Sequence, residues 1–581
     1  MRQRCIQQWL KPPKSFLALG FGLSLQLTGL AASFAPVAAE HGMVVTAQHL
    51  ATKVGVAVLQ RGGNAVDAAV AVGYALAVVY PAAGNLGGGG FMTLQLADGR
   101  KRFIDFREKA PLAATANMYL GPDGNVVKGL STYGHLAVAV PGSVAGLEYA
   151  RAQYGSMPRP ALIAPAIRLA NKGFVLESGD VALLGAASKD FAKDPASAAI
   201  FLKRGQTYQV GDTLVQKDLA RTLRAISRKG ANGFYQGPVA QAIALASQGG
   251  GGIITQADLA QYSVRELPPI ECDYRGYHIV SAAPPSSGGV VICEVLNILE
   301  GYPLPELGFR SAQAVHYQIE AMRHAYVDRN RYLGDPDFVR NPIERLTDKA
   351  YAAQIRSAID PSKAGVSPSV QPDVEPHEGS NTTHYSIADR WGNAVAVTYT
   401  LNDWFGARVT AAGTGVVLNN EMDDFSVKVG VPNLYGLVQG QANAIAPGKR
   451  PLSSMSPTIV SQNGQPVMVV GTAGGSRIIT AVLHSILNVI DYGMDVQEAI
   501  DAPRFHQQAQ PELTFLESNA LSPDTRKILE AWGQAFGPPQ SVKHMAAVLI
   551  GAPALGAKPV GKNRFYGAND PRRNGGLALG Y

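Results

Sequence analysis

The stretch "TTHYSIADRWGNAVAVTYT", residues 382–400, constrains this chain's fold more than any other. It alternates well enough for two strands around the turn Asp-Arg-Trp-Gly-Asn (389–393), and so calls for an antiparallel hairpin. With the turn centred on Trp391, Thr382 pairs with Thr400. A modest register error still leaves the two side chains diagonal neighbours. What precedes the hairpin is opposite in kind. "DPSKAGVSPSVQPDVEPHEGSN" (360–381) holds four prolines, four serines and few apolar residues. That is the composition of an exposed loop or an interdomain linker. A loose segment therefore runs straight into the first residue of a core strand.

Thr–Thr pairs across strands are ordinary sheet stabilisers. One chemistry gives this pair a further use. A cut before Thr382 would give that residue a free α-amine, with a pKa of about 7.7–8. Such an amine can act as base for the residue's own hydroxyl, directly or through water. Thr400 would orient both groups, and a flexible preceding segment could bend back, be attacked and leave.

Elsewhere helix-period and strand-period patterns interleave. Residues 41–80 predict a strand followed by two helices, the second of them, "NAVDAAVAVGYALAVVYP" (64–81), buried and ended by Pro81. "GNLGGGGFMTLQLADGRKRFIDFREKAP" predicts a glycine turn leading into a hairpin, with Met92, Leu94 and Leu96 on one face. The middle, roughly 135–355, reads as mostly helical, with an amphipathic helix in Ser311–Phe338. After the proline-rich loop, strands are expected to dominate up to about Val470. "PVMVVGTAGGSRIITAVLHSILNVIDYG" then predicts strand, glycine turn and buried helix.

The 581 residues, 46% of them hydrophobic, suffice for a large core. Net charge is +7, but Arg2, Arg4, Lys11 and Lys14 supply four of those charges, leaving about +3. No dense basic run follows, so nucleic-acid binding is not expected. The N-terminus has the order of an export signal: a basic stretch to Lys14, an apolar stretch from Phe16 to Phe34, and Val37 and Ala39 suited to a cut after Ala39. The competing reading is an uncleaved membrane anchor. Residues 1–39 are thus expected to leave a periplasmic or secreted protein. Of three cysteines, Cys5 goes with the signal, and Cys272 and Cys293 are either paired or free in the core. There is no CxxC, no HExxH and no close His/Cys/Asp cluster, so neither zinc nor any other metal is expected.

Acyl transfer also needs donors aimed at a developing oxyanion. Gly474 and Gly475 fall between a strand and a helix N-terminus, where backbone N–H groups are free. The rival, a phosphate loop, lacks its Lys-Ser/Thr end. "GNLGGGGF" (84–91) follows a helix rather than a strand, unlike a dinucleotide fingerprint, and no cofactor is expected. "LNNEMDDFS" (418–426) gathers Glu421, Asp423 and Asp424, as calcium ligands, solvated acids or ligand-binding groups. Ser453 and Ser454 precede a strand and either serve a ligand or cap the backbone. Arg107 ends a strand beside Glu108, as a surface ion pair or a carboxylate clamp. One arginine, two serines and an acid would suit an α-amino acid head group.

At these residues the sequence closely resembles gamma-glutamyltranspeptidase, of the N-terminal nucleophile hydrolase superfamily. The resemblance runs over about 42–581, through "GNLGGGGFM", "DFREKAP", "PPSSGG", "YLGDPDF", "NTTHYS", "YTLN", "NNEMDDFS", "RPLSSMSPTIV", "GGSRIIT", "APRFHQ" and "DPRR…GY". It implies an α+β fold, a four-layer αββα sandwich. It also implies a precursor that cuts itself between Asn381 and Thr382 into a large subunit (40–381) and a small one (382–581), which stay together as an intertwined heterodimer. Thr382 would attack the γ-carbonyl of glutathione or another γ-glutamyl compound, and water, an amino acid or a dipeptide would take the glutamyl group from its hydroxyl. By the same resemblance Thr400 assists Thr382, and Gly474 and Gly475 form the oxyanion hole. Arg107, Ser453 and Ser454 hold the α-carboxylate, and Asn402, Glu421 and Asp424 hold the α-amine. Position 421 varies between Glu and Gln in the family. "VPNLYGLVQGQANAIAPGKR" resembles the active-site lid, with Tyr435 as gate. Cephalosporin-type acylases share fold and nucleophile, but several lack such a lid. "NDWFGARV" after Asn402 departs from some bacterial members, which bears on acceptor preference. An exported binding protein without catalysis is the third alternative, and intact Thr382, Thr400, Gly474 and Gly475 argue against it.

Overall fold

The computed structural model describes residues 33–367, 381–540 and 544–581. Most of the expected signal segment and most of the proline-rich loop, residues 368–380, lie outside these. The hairpin forms as the turn predicts. Thr382–Asp389 pairs antiparallel with Ala394–Thr400, and Thr382 stands opposite Thr400. Asp389 builds the turn: its carboxylate accepts the Trp391 and Asn393 N–H groups at 2.9 and 3.0 Å. It also accepts the N–H of Ala65 at 2.8 Å, so the turn is tied to the start of helix Ala65–Val79. Gly392 supplies the left-handed residue, at φ +99°.

Two antiparallel seven-stranded sheets stack face to face. The first runs Leu577–Gly580, Gly42–Thr46, Thr382–Asp389, Ala394–Thr400, Gly89–Gln95, Lys101–Phe106, Arg265–Leu267. The second runs Val37–Ala39, Phe565–Asn569, Ala546–Ile550, Gln465–Gly471, Thr458–Gln462, Tyr277–Ser281, Ile270–Tyr274. Period-two alternation sorts the hairpin's side chains. Tyr385, Ile387, Val395, Val397 and Tyr399 turn outward into a core shared with helices Ala65–Val79, Arg159–Lys172 and Lys217–Lys229. Ala388, Ala394 and Ala396 turn inward and meet Ile459, Val469 and Val548 of the second sheet. The second sheet's outer face packs on helices Gly288–Leu299, Ala312–Tyr332 and Ile478–Ile490. The order is helix, sheet, sheet, helix, the expected αββα sandwich. Segments on either side of Asn381 supply strands to both sheets.

Helix Ala65–Val79 is buried along its whole length and stops two residues before Pro81. The strand, glycine turn and helix over 465–490 also form as expected. One expectation fails. Between Leu401 and Pro457 only the two-residue strands Thr410–Ala411 and Val416–Val417 occur. The ladder breaks just past Thr400, where Asn402, Phe405, Gly406 and Arg408 all take left-handed φ. Prolines and glycines then keep the segment irregular. Cys272 and Cys293 form a disulfide that ties strand Ile270–Tyr274 to helix Gly288–Leu299. Among the described residues, no helix is long and apolar enough to cross a membrane.

Candidate active site

The strand register places two threonine hydroxyls face to face just after the proline-rich segment. Thr382 Oγ1 and Thr400 Oγ1 are 3.2 Å apart. Thr400 Oγ1 also lies 3.3 Å from the Asn381 carbonyl oxygen, and it accepts the Asn402 N–H at 2.9 Å. That acceptance leaves the single Thr400 proton for either Thr382 or the Asn381 carbonyl. Three backbone elements set this geometry: the hairpin ladder, the left-handed turn at Asn402, and the glycine run that pairs beside it. Gly89 stands opposite Thr400 in the ladder. A Cβ on Gly88 would sit 1.9 Å from the Thr400 carbonyl oxygen, which is why a side chain is excluded there. Asn85 Nδ2 donates to the same oxygen at 2.8 Å.

Thr382, Thr400, Asn402, Arg107, Glu421, Asp424, Tyr435, Ser453, Ser454 and Gly475 line one cavity. Gly474, at φ +138°, sits one residue behind that wall, and the helix Ile478–Ile490 begins just beyond. The candidate head-group residues converge, but they first meet one another. Arg107 donates to both Glu421 and Asp424, and Glu108 lies 3.6 Å away. All four are buried, as is Asp423, so none of the acids of 421–424 is a solvated surface group. Burial opposes the Arg107 charge, yet Glu421 and Asp424 hold its pKa above the ordinary value. Burial pushes Glu421 well up, and Glu108 up to about 7 despite the pull of Arg107.

The two serines are set as donors. Ser453 Oγ accepts the Met455 N–H at 3.1 Å, and Ser454 Oγ accepts from Arg329 at 3.3 Å. A hydroxyl whose lone pair is engaged by the protein has its proton free for an incoming acceptor. Tyr435 closes over the cavity. Its hydroxyl shares one proton between the Asn402 carbonyl oxygen and Oδ1, 2.7 and 2.8 Å away, and its ring lies on Gly475, where a Cβ would be 2.5 Å from it. Asp423 does not reach the cavity wall. It anchors the segment carrying Tyr435 instead, accepting Leu434 N–H at 2.9 Å and the Ser131 hydroxyl at 2.6 Å. Burial pushes its pKa up to about 6.

Arg329 escaped the sequence reasoning. It lines the cavity from helix Ala312–Tyr332, buried, with Ser287, Ser454, Asn330 and Gln439 as partners. Burial pulls its pKa down to about 10. The sequence carried a signal for it. Met322, Ala325 and Tyr326 form the helix's apolar stripe, and Arg329 falls on that stripe rather than on the polar face.

A description of the Gamma-glutamyltranspeptidase family matches residues 51–580. The glutathione hydrolase proenzyme of Pseudomonas sp. (strain A14) is 72% identical over 552 residues, covering 95% of this chain and 96% of that protein. The glutathione hydrolase proenzyme of Escherichia coli (strain K12) is 49% identical, covering 94% and 93%. The crystal structure of cephalosporin acylase from Bacillus halodurans superposes with a TM-score of 0.81 at 27% identity, covering 96% of this chain and 99% of that one. A family match over residues 51–580, with relatives 72% and 49% identical over nearly their whole length, has one meaning: this chain belongs to the gamma-glutamyltranspeptidase family.

Proposed function

We propose that this protein is a self-processing γ-glutamyl hydrolase and transpeptidase, acting on glutathione and other γ-glutamyl compounds. The observation that carries it is the Thr382–Thr400 hydroxyl pair, 3.2 Å apart, abutting the Asn381 carbonyl at the end of a proline-rich loop. In the precursor, Thr382 Oγ1 attacks that carbonyl while the Thr400 hydroxyl polarises it. The cut yields a large subunit ending at Asn381 and a small one beginning at Thr382, held as a heterodimer by the shared sheets. The freed α-amine then serves as base for the Thr382 hydroxyl in turnover. Thr382 takes the glutamyl group as an ester, the N–H groups of Gly474 and Gly475 stabilise the oxyanion, and water or an amino-acid or dipeptide acceptor releases it.

The head-group site fits a zwitterion. Arg107, Ser453 and Ser454 take the α-carboxylate. Asn402, Glu421 and Asp424 take the α-ammonium, with Tyr435 shut over both. A second reading, an acylase acting on glutaryl-type amides, draws on the likeness to the cephalosporin acylase fold. A glutaryl group has no ammonium to match two buried carboxylates, and burying such charges without a partner is costly. The γ-glutamyl reading is therefore preferred. We place the mature protein outside the cytoplasm, with residues 1–39 as its export signal, so that the edge strand Val37–Ala39 belongs to the precursor and the mature second sheet ends at Phe565–Asn569. The Cys272–Cys293 disulfide suits an oxidising compartment.

The test is a denaturing gel and an assay with a γ-glutamyl anilide, on wild type and Thr382→Ala. Wild type gives two bands and turnover. The variant gives one full-length band and none. An uncut wild-type band sinks the mechanism, and turnover of glutaryl but not γ-glutamyl amides selects the acylase.

A further inference from the structure

We propose that Asp403 is a positioning residue for self-cleavage, its carboxylate holding the Asn381 side chain so that the scissile carbonyl stays against Thr400. This rests on the reading that the bond before Thr382 is the one cut. In that cut the Thr382 hydroxyl oxygen bonds the Asn381 carbonyl carbon. The hydroxyl proton passes to the Thr382 nitrogen as the C–N bond breaks. Water then hydrolyses the ester, giving the Asn381 carboxylate and restoring the Thr382 hydroxyl. Attack needs the carbonyl held at a fixed angle to Thr382. The strand begins at Thr382, so regular ladder pairing does not extend to Asn381. Two contacts flank that carbonyl: Thr400 Oγ1 lies 3.3 Å from its oxygen, and Asn381 Nδ2 donates to Asp403 Oδ1.

Asp403 is itself fixed on several sides. Its Oδ2 accepts from Arg408 Nη2 at 2.9 Å, its Oδ1 accepts the Trp404 N–H at 2.8 Å, and its own N–H donates to Asn420 Oδ1 at 2.9 Å. The loop around it holds Asn402, Phe405 and Arg408 at φ +73°, +56° and +63°. Non-glycine residues persist there only where their surroundings over-determine them, and such positions gather at functional sites. Here Phe405 is wedged against Phe191 and Phe201, with ring centroids 4.8 and 5.7 Å away. The segment is a rigid arm that presents one carboxylate oxygen to the residue preceding the cut.

The test follows conversion of full-length chain to two bands in wild type, N381A, D403A, the N381A/D403A double variant, N381D and the N381D/D403N double variant. N381A and D403A each slow cleavage roughly tenfold, as loss of one charge-assisted hydrogen bond would. The N381A/D403A double variant cleaves no more slowly than the slower single, because both act through one contact. N381D is slower still, from two facing carboxylates. N381D/D403N recovers part of the rate lost in N381D, since donor and acceptor are exchanged across the pair although the Trp404 N–H then faces an amide NH2, and a purely structural role for Asp403 would give no such rescue. Wild-type cleavage rates in N381A or D403A overturn the proposal, as do multiplied effects in the double variant or no recovery in the exchanged pair. If D403A fails to fold, the N381A and N381D arms still decide. A wild type that never cuts overturns the underlying reading as well, an outcome distinct from a wild type that cuts and is indifferent to these variants.

Discussion

Arg107 is the residue on which the head-group site turns. In the closed cavity it is already paired with Glu421 and Asp424, so an incoming zwitterion does not meet a bare cation. Its ammonium takes up the acids while its carboxylate takes up Arg107, and no charge is left uncompensated. Asp424→Ala should therefore raise KM for a γ-glutamyl anilide by roughly 10- to 100-fold, the loss of a charge-assisted bond of about 1.5–3 kcal/mol. A glutaryl anilide, lacking the ammonium, should not suffer that loss. Steady-state kinetics on both substrates checks this, and an unchanged KM for the γ-glutamyl anilide would mean the head group sits elsewhere. These residue types were legible in the sequence as a set that suits an α-amino acid. Their pairing with one another was not, because Arg107 and Asp424 are 317 positions apart and only the folded layers join them. Arg329 shows the same limit: an arginine on a helix's apolar stripe is a local oddity until the chain folds Ser454 onto it.

The elements that carry the site are the hairpin 382–400 and the glycine run beside it. The hairpin was legible to the residue, because its five-residue turn fixes the register and the side-chain period is two. The glycine run was legible only as something other than a nucleotide loop. Its reason is steric, and it lies in the strand that ends at Thr400, far along the chain. Gly88→Ala would press a methyl group to 1.9 Å from the Thr400 carbonyl, against backbone that has no rotamer to yield. Overpacking of this kind costs about 1–3 kcal/mol, and here the strain falls on the strand holding Thr400. The expected outcome is a lower melting temperature together with delayed conversion to two bands, seen by calorimetry and a gel time course. Conversion at the wild-type rate would show that the strand end shifts without consequence. The irregular segment 401–457 reads as strand in the sequence because the left-handed residues that end the ladder, Phe405 and Arg408 among them, carry no local signal of that conformation.

At the scale of the whole molecule, stacking two sheets buries groups that water would otherwise reach. His384, two residues after Thr382, points between the sheets. Its ring bonds Thr398 and Ser386 at 2.8 and 2.9 Å and rests on Gly471 of the opposite sheet, where a Cβ would be 2.3 Å away. Burial pulls its pKa from 6.5 down to about 3. His506, buried under helix Ile478–Ile490, is pulled to about 3 by the same cause. The sign follows from proton binding. Between pH 6.5 and 3 the unfolded chain binds a proton at each histidine and the native chain does not. Their contribution to stability is therefore complete above pH 6.5 and is lost as pH falls towards 3. At pH 5 the loss is about 2 kcal/mol for each. Buried acids oppose this: Asp423, pushed up to about 6, and Glu108, pushed up to about 7, favour the native state as pH falls. The net profile is thus a balance, and a difference between variants isolates one group. In the uncut Thr382→Ala background, where the chain unfolds as one molecule, His384→Gln removes the titration and keeps a polar side chain. Urea unfolding at pH 7 and pH 5 should show the stability gap between parent and His384→Gln narrowing by about 2 kcal/mol at the lower pH. A gap that stays constant would mean that His384 takes up its proton at the same pH folded and unfolded, and that the space between the sheets is open to water.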